Sequence, residues 1–167
     1  MKETVQQYKA RILGQVEGKN PLTVYKSTPD KIARLIRGVS SAQLRRRPAP
    51  GKWSIAEILA HLAETEIVIG YRFRMIRNKN GTPIQAFDQD DWAASSNYQK
   101  MDARQSLESF RALRKLNYEW ARRVPKAKLQ NYGIHAERGK ETIAHLFRMF
   151  AGHDLNHLKQ IERLRAR

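Results

Sequence analysis

From Glu141 to about Arg165, apolar residues recur in alternating threes and fours: Ile143, Leu146 and Phe150, then His153, His157 and Gln160, then Leu164. The pattern predicts a helix with one core-facing seam, and it sets two imidazoles and an amide into the middle of that seam. Three more long helices are expected upstream. Thr28-Pro29-Asp30 offers an N-cap, a proline at the first helical position and an acid in the first turn. A helix is therefore expected to start there, burying Ile32, Leu35, Ile36 and Val39, with Gly38 loosening its end. A short helical turn over Ser41 to Arg46 leads to the Pro48-Ala49-Pro50-Gly51 break. Ser54 and Glu57 then have the spacing of a capping box for a helix running to about Arg77. That helix is apolar on two sides. Ile55, Leu59, Leu62, Ile69, Phe73 and Ile76 form one stripe, and Ile58, His61, Val68 and Met75 form another, as expected of a helix packed on both faces. Asp102 caps the third, with Leu107, Phe110, Leu113, Leu116 and Trp120 at helical intervals and Pro125 beyond its end.

The segments between these helices are polar or irregular. Residues 1–27 hold Gly14, Gly18 and Pro21 and little periodicity beyond Val5, Tyr8, Ile12 and Leu13, so a short helix and an arm packing over the bundle are expected. Asn80-Gly81-Thr82-Pro83 ends the second long helix. The roughly fifteen-residue loop that follows, Ile84 to Tyr98, is longer than most connections, and such loops often wall a site. It contains Phe87-Asp88-Gln89-Asp90-Asp91-Trp92, from which Asp88, Asp91 and Trp92 are candidate wall residues. The polar stretch Lys126 to Lys140 is expected to cross from one end of the bundle to the other. No internal repeat and no convincing strand pair is present. The economical reading is one all-α domain over residues 1–167, a four-helix bundle with a short N-terminal arm.

Composition narrows the chemistry. The 167 residues contain no cysteine, which removes disulfides, thiolate nucleophiles and cysteine-ligated zinc. Any metal must be held by nitrogen and oxygen. No uninterrupted apolar run of membrane-spanning length exists, and Met1-Lys2-Glu3-Thr4 opens no signal peptide, so a cytoplasmic protein is expected. Thirty-two Lys and Arg against sixteen Asp and Glu give a formal charge of +16. That field attracts anions of any size, from small substrates to nucleic acid. The basic residues form no single tract, Arg45-Arg46-Arg47 being the longest run, and there is no RNP pattern, zinc-finger spacing or Gly-rich phosphate loop.

His153 and His157 stand four apart, so on a helix their rings lie one above the other, about 6 Å apart at Cβ. A lone histidine on a seam is ordinarily a hydrogen-bonded core residue. Two on one seam, with His61 on the inward stripe of another helix, would leave several buried ring nitrogens to satisfy. One divalent cation accepts a lone pair from each at ~2.0–2.1 Å. Three protein ligands leave a coordination position open, the arrangement of catalytic sites. Gly152, just before His153, costs a helix up to about 1 kcal/mol and points to a close backbone contact or to room beside the metal. Gln160 and Glu64 are candidates to orient a ligand from behind. His145 falls off the seam, and His135 cannot be assigned by pattern.

Several blocks in this order and spacing resemble the DinB/YfiT-like superfamily. They are Pro50-Gly51-Lys52-Trp53-Ser54-Ile55 with Glu57 and His61-Leu62, the Phe87 to Ala93 loop, His135-x-Glu137-x-Gly139, and Gly152-His153 with His157 and Gln160-Ile161. The resemblance covers about Thr28 to Leu164. It implies a four-helix bundle with a divalent metal, commonly zinc or nickel, on histidines matching His61, His153 and His157. It also implies homodimers, and an activity among metal-dependent hydrolases and transferases of low-molecular-weight thiols.

Two function classes follow. The first is a metal-dependent enzyme acting on a small molecule, such as an anionic thiol, with Asp88, Asp90, Asp91 and Glu64 as candidate general bases by type alone. The second is a basic helical module that binds nucleic acid through phosphates, its metal structural or incidental.

Overall fold

The computed structural model describes residues 3–166. Met1, Lys2 and Arg167, part of the expected domain, lie outside the described residues. In chain order the elements are α1 (Val5–Gln15), α2 (Pro21–Leu35), α3 (Ser41–Arg45), α4 (Ile55–Asn78), β1 (Thr82–Ile84), α5 (Gln89–Ser95), α6 (Ala103–Ala121), β2 (Tyr132–His135), β3 (Gly139–Thr142) and α7 (Ile143–Arg165). The long helices α2, α4, α6 and α7 pack as the four-helix bundle. The core runs through Ile32, Ile36, Ile58, Leu59, Leu62, Phe110, Ala151 and Ile161 at one end, and through Ile69, Phe73, Ile76, Ile143 and Leu146 at the other.

α4 and α7 form where the sequence places them. Ser54 accepts from the Glu57 amide at 3.3 Å while Glu57 accepts from the Ser54 amide at 2.9 Å, closing the expected box, and Arg47 also binds that carboxylate. Thr142 caps α7 by accepting from the His145 amide at 3.0 Å.

α2 departs from expectation. It begins at Pro21, capped by Asn20, and carries Pro29 in its interior rather than at its first turn. Pro29 has no N–H to give the carbonyl of Tyr25, one turn back. Arg114 of α6 supplies the missing donor, its Nη1 lying 2.7 Å from that oxygen. The face of α6 is also turned from the apolar reading. Leu116 is 60% exposed, while Arg114 and Asn117 are buried.

These two polar groups belong to a network that joins all four bundle helices. Arg114 holds Asp154 of α7 through two bonds, of 2.6 and 2.9 Å, and Glu66 of α4 at 2.8 Å. Glu66 also accepts from the Tyr25 hydroxyl at 2.7 Å and from Asn117 at 3.0 Å. Burial pushes the Asp154 carboxyl up to about 6 although Arg114 opposes the shift.

Two connections are more ordered than their sequences implied. The loop after β1 contains α5, capped by Asp88, whose side chain accepts from the amides of Asp90 and Asp91. Lys126 to Lys140 does not simply cross the bundle. It leads into β2, which pairs parallel to β1 and antiparallel to β3, so that Ile84 stands opposite His135 and His135 opposite Gly139. This three-stranded sheet brings β1, β3 and the α5 loop beside α4 and α7. α1 lies on α7 with Ile12 buried, while residues 21–27, expected in the arm, already belong to α2.

Candidate metal centre

The capped helices α4 and α7 deliver the three histidines. His61 stands in the second turn of α4, and His153 and His157 lie on successive turns of α7. Their Nε2 atoms meet. His61 Nε2 is 3.0 Å and His157 Nε2 is 3.1 Å from His153 Nε2, and all three nitrogens lie within 4.8 Å of one another. A divalent ion with bonds of ~2.0–2.1 Å and near-tetrahedral angles spaces its nitrogen ligands about 3.3 Å apart, so the set has the size one cation spans.

The surroundings favour ligation by neutral imidazole. Burial holds His61 and His153 well below the ordinary histidine range, their neighbouring imidazoles adding to the effect. His157 is lowered to about 4, chiefly by burial. All three are therefore uncharged at neutral pH. Gln160 Oε1 lies 3.0 Å from His157 Nδ1. An amide oxygen can only accept, so the imidazole proton sits on Nδ1 and the Nε2 lone pair faces the other two rings. The Trp53 ring packs 5.0 Å from His61 and covers it, while His61 Nδ1 has no hydrogen-bond partner among the described residues.

Gly152 places His153. A Cβ on residue 152 would stand 2.1 Å from the carbonyl oxygen of Ile12, so only glycine lets α1 press onto α7 one residue before the ligand position. Of the two features Gly152 pointed to, the close backbone contact is present.

His61 and His153 open onto a cavity of about 210 Å³. Leu146, Met149 and Phe150 of α7 give it an apolar side, Thr65 and Arg72 of α4 a polar one, and Tyr8, Phe87 and Gln89 close it from α1 and the α5 loop. Arg138 and Glu141 enter from the hairpin, joined by bonds of 2.7 and 3.0 Å. Burial pushes the Glu141 carboxyl up, but the bonds and charge of Arg138 outweigh it and hold the group below its usual range. Glu141 is thus ionised. Burial and the neighbouring Arg138 lower Arg72 to about 10, which leaves it cationic at neutral pH.

The remaining expected site residues are elsewhere. Glu64 accepts from the Tyr98 hydroxyl at 2.6 Å and makes no bond to a histidine. Asp88, Asp91 and Trp92 line a separate, outer pocket, and neither they nor Asp90 line the histidine cavity. His135 is buried in β2, where its Nδ1 accepts from the amides of Glu137 and Arg138 and shapes the hairpin turn. His145 is half-buried off the seam. Sequence reasoning missed Arg72, Arg138 and Glu141. For Arg72 a signal existed: Thr65 and Arg72 follow His61 at the four- and eleven-residue steps of one helix face.

Proteins of known sequence and structure bear on this arrangement. A Bacillus mycoides protein named as a candidate metal-dependent hydrolase is 23% identical over 139 residues, covering 83% of this chain and 80% of the relative. A similarly named Oceanobacillus iheyensis protein is 18% identical over 133 residues, covering 80% and 76%. YfiT from Bacillus subtilis, described as a probable metal-dependent hydrolase with an unusual four-helix bundle topology, superposes with a TM-score of 0.80 at 17% identity, covering 96% of this chain and 87% of YfiT. The pattern of the DinB superfamily matches residues 25–161, and the chain belongs to that superfamily.

Proposed function

We propose that this chain is a metal-dependent enzyme of the hydrolase or thiol S-transferase type, working on a small molecule at the floor of the histidine cavity. The observation that carries the proposal is the meeting of three buried, uncharged Nε2 atoms, two of them from residues that line the cavity. The naming of the relatives supports the hydrolase class.

His61, His153 and His157 would hold the ion; imidazole donors suit zinc, nickel, copper and iron alike, and the resemblance to the superfamily favours zinc or nickel. Bound there, a divalent cation acts as a Lewis acid, either lowering the pKa of water toward ~7 or stabilising a thiolate. The protein's own groups supply the rest. Gln160 fixes the tautomer of His157, and Trp53, Leu146 and Phe150 keep bulk water from the rings. Glu141 is the one carboxylate lining the cavity among the described residues, and it replaces Asp88, Asp90, Asp91 and Glu64 as candidate proton acceptor. The proposal extends to a cytoplasmic homodimer, with light scattering as the check on its mass. No helix among the described residues is long and apolar enough to cross a membrane.

Elemental analysis of untagged protein tests the reading. About one zinc or nickel per chain is expected, falling to background in His157→Ala while the helical circular dichroism persists. Full occupancy in that variant would remove His157 from the ligand set, and a metal-free wild type would end the proposal.

A further inference from the structure

Arg72 is buried, only 5% exposed, in the wall between two cavities. On one side are the histidines. On the other is an outer pocket of about 440 Å³ faced by Ile67, Tyr71, Met75 and Trp92. Phe87 lines both spaces with it, its ring centre 5.7 Å from the guanidinium carbon.

A buried arginine ordinarily has a carboxylate to itself, because a desolvated charge without a partner is costly. Arg72 has none within 4.0 Å among the described residues: Glu141, the acid in this cavity, is taken up by both of its bonds to Arg138. Its one hydrogen bond among those residues runs from Nη2 to the carbonyl of Gln85, at 2.6 Å. Guanidinium has five N–H donors, so most of the fork and its whole charge face no protein acceptor. With no ion bound, Arg72, Arg138 and Glu141 together leave a single positive charge in excess around neutral imidazoles, and a divalent ion would only add to it. A monoanion balances that excess, and the planar fork matches the two oxygens of a carboxylate.

We propose that Arg72 is the specificity-determining residue of the site and binds the carboxylate of a small substrate. The apolar or aromatic part of that substrate packs against Phe87, Leu146 and Phe150 of the same cavity, and its reacting group lies over the histidines. The location of the reacting group rests on the proposed function; the carboxylate contact does not. Arg72 is already desolvated and held by Gln85 and Phe87, so little of its freedom remains to be lost on binding.

Matched probes test this: 1-naphthylacetate and its uncharged amide, titrated by calorimetry into metal-loaded protein and into protein treated with a chelator. The acid is expected to bind on the order of tenfold more tightly than the amide to both forms. Arg72→Gln is expected to bring the two affinities within about twofold of each other and to leave metal content unchanged. Arg72→Met, which keeps an apolar stem, replaces it if the glutamine variant unfolds. Equal affinities on the wild type, or a preference that survives loss of the arginine, overturn the proposal. So does a preference that disappears on chelation, since the ion would then be holding the carboxylate. A wild type that carries no metal but keeps the preference leaves Arg72 assigned and defeats only the enzymatic reading.

Discussion

Gln160 touches a ring that touches the centre, and its effect can be separated from that of the ligands. Gln160→Ala removes the acceptor that sets the His157 proton, with the fold otherwise untouched, and is expected to weaken metal retention by about 10–100-fold in competition with a chromophoric chelator. Gly152→Ala acts through packing instead. Its methyl group meets the Ile12 carbonyl, so α1 must shift, and a loss of about 1–3 kcal/mol is expected in urea unfolding. The histidines were legible in sequence because helical spacing alone stacks His153 over His157 and the inward stripe carries His61. Glu64 was not, because its partner Tyr98 lies 34 residues away and no local pattern reports such a pairing. Arg72 shares the His61 face of α4, but its charge outweighed that signal, since arginine on a helix is read as surface unless something shows the space around it.

At the level of elements, the capped helices α4 and α7 could be read from their own residues, whereas α2 could not. The Thr28-Pro29-Asp30 signal is locally sound, yet Arg114 from α6 meets the need that Pro29 creates, and the helix runs through. Asn20 and Pro21 set where the helix begins, and a residue far away in sequence lets it continue past Pro29. The same holds for the sheet, whose strands of three or four residues are too short to show alternation and whose β1 finds β2 about fifty residues later. The network around Arg114 makes its own prediction. Arg114→Met strands Glu66 and Asp154 in the core, and a loss of about 3–5 kcal/mol is expected from the denaturant midpoint, with metal binding surviving in whatever fraction remains folded.

For the molecule as a whole, pH and salt act in distinct ways. His61, His153 and His157 are kept neutral by folding, whereas an unfolded chain protonates them near 6.5. The unfolded state therefore binds more protons as pH falls, and metal-free protein is expected to lose thermal stability from about pH 6.5 down through about 4. Asp154, raised to about 6, works the other way in part of that range but is one group against three. A scan of melting temperature against pH shows the sign. The charge of +16 is a separate matter: any association with a DNA duplex is expected to disappear between ~50 and 200 mM salt and to be indifferent to chelation. One contact reaches across nearly the entire chain. Arg11 donates to Asn156 and Lys159 to Gln15, and the Ile12 carbonyl rests on Gly152. On the ribosome α1 emerges well over a hundred residues before its seat, so until α7 follows it has nothing to dock on. The histidine pair on α7 is thus roofed over by a helix that had waited, undocked, while everything between them was made.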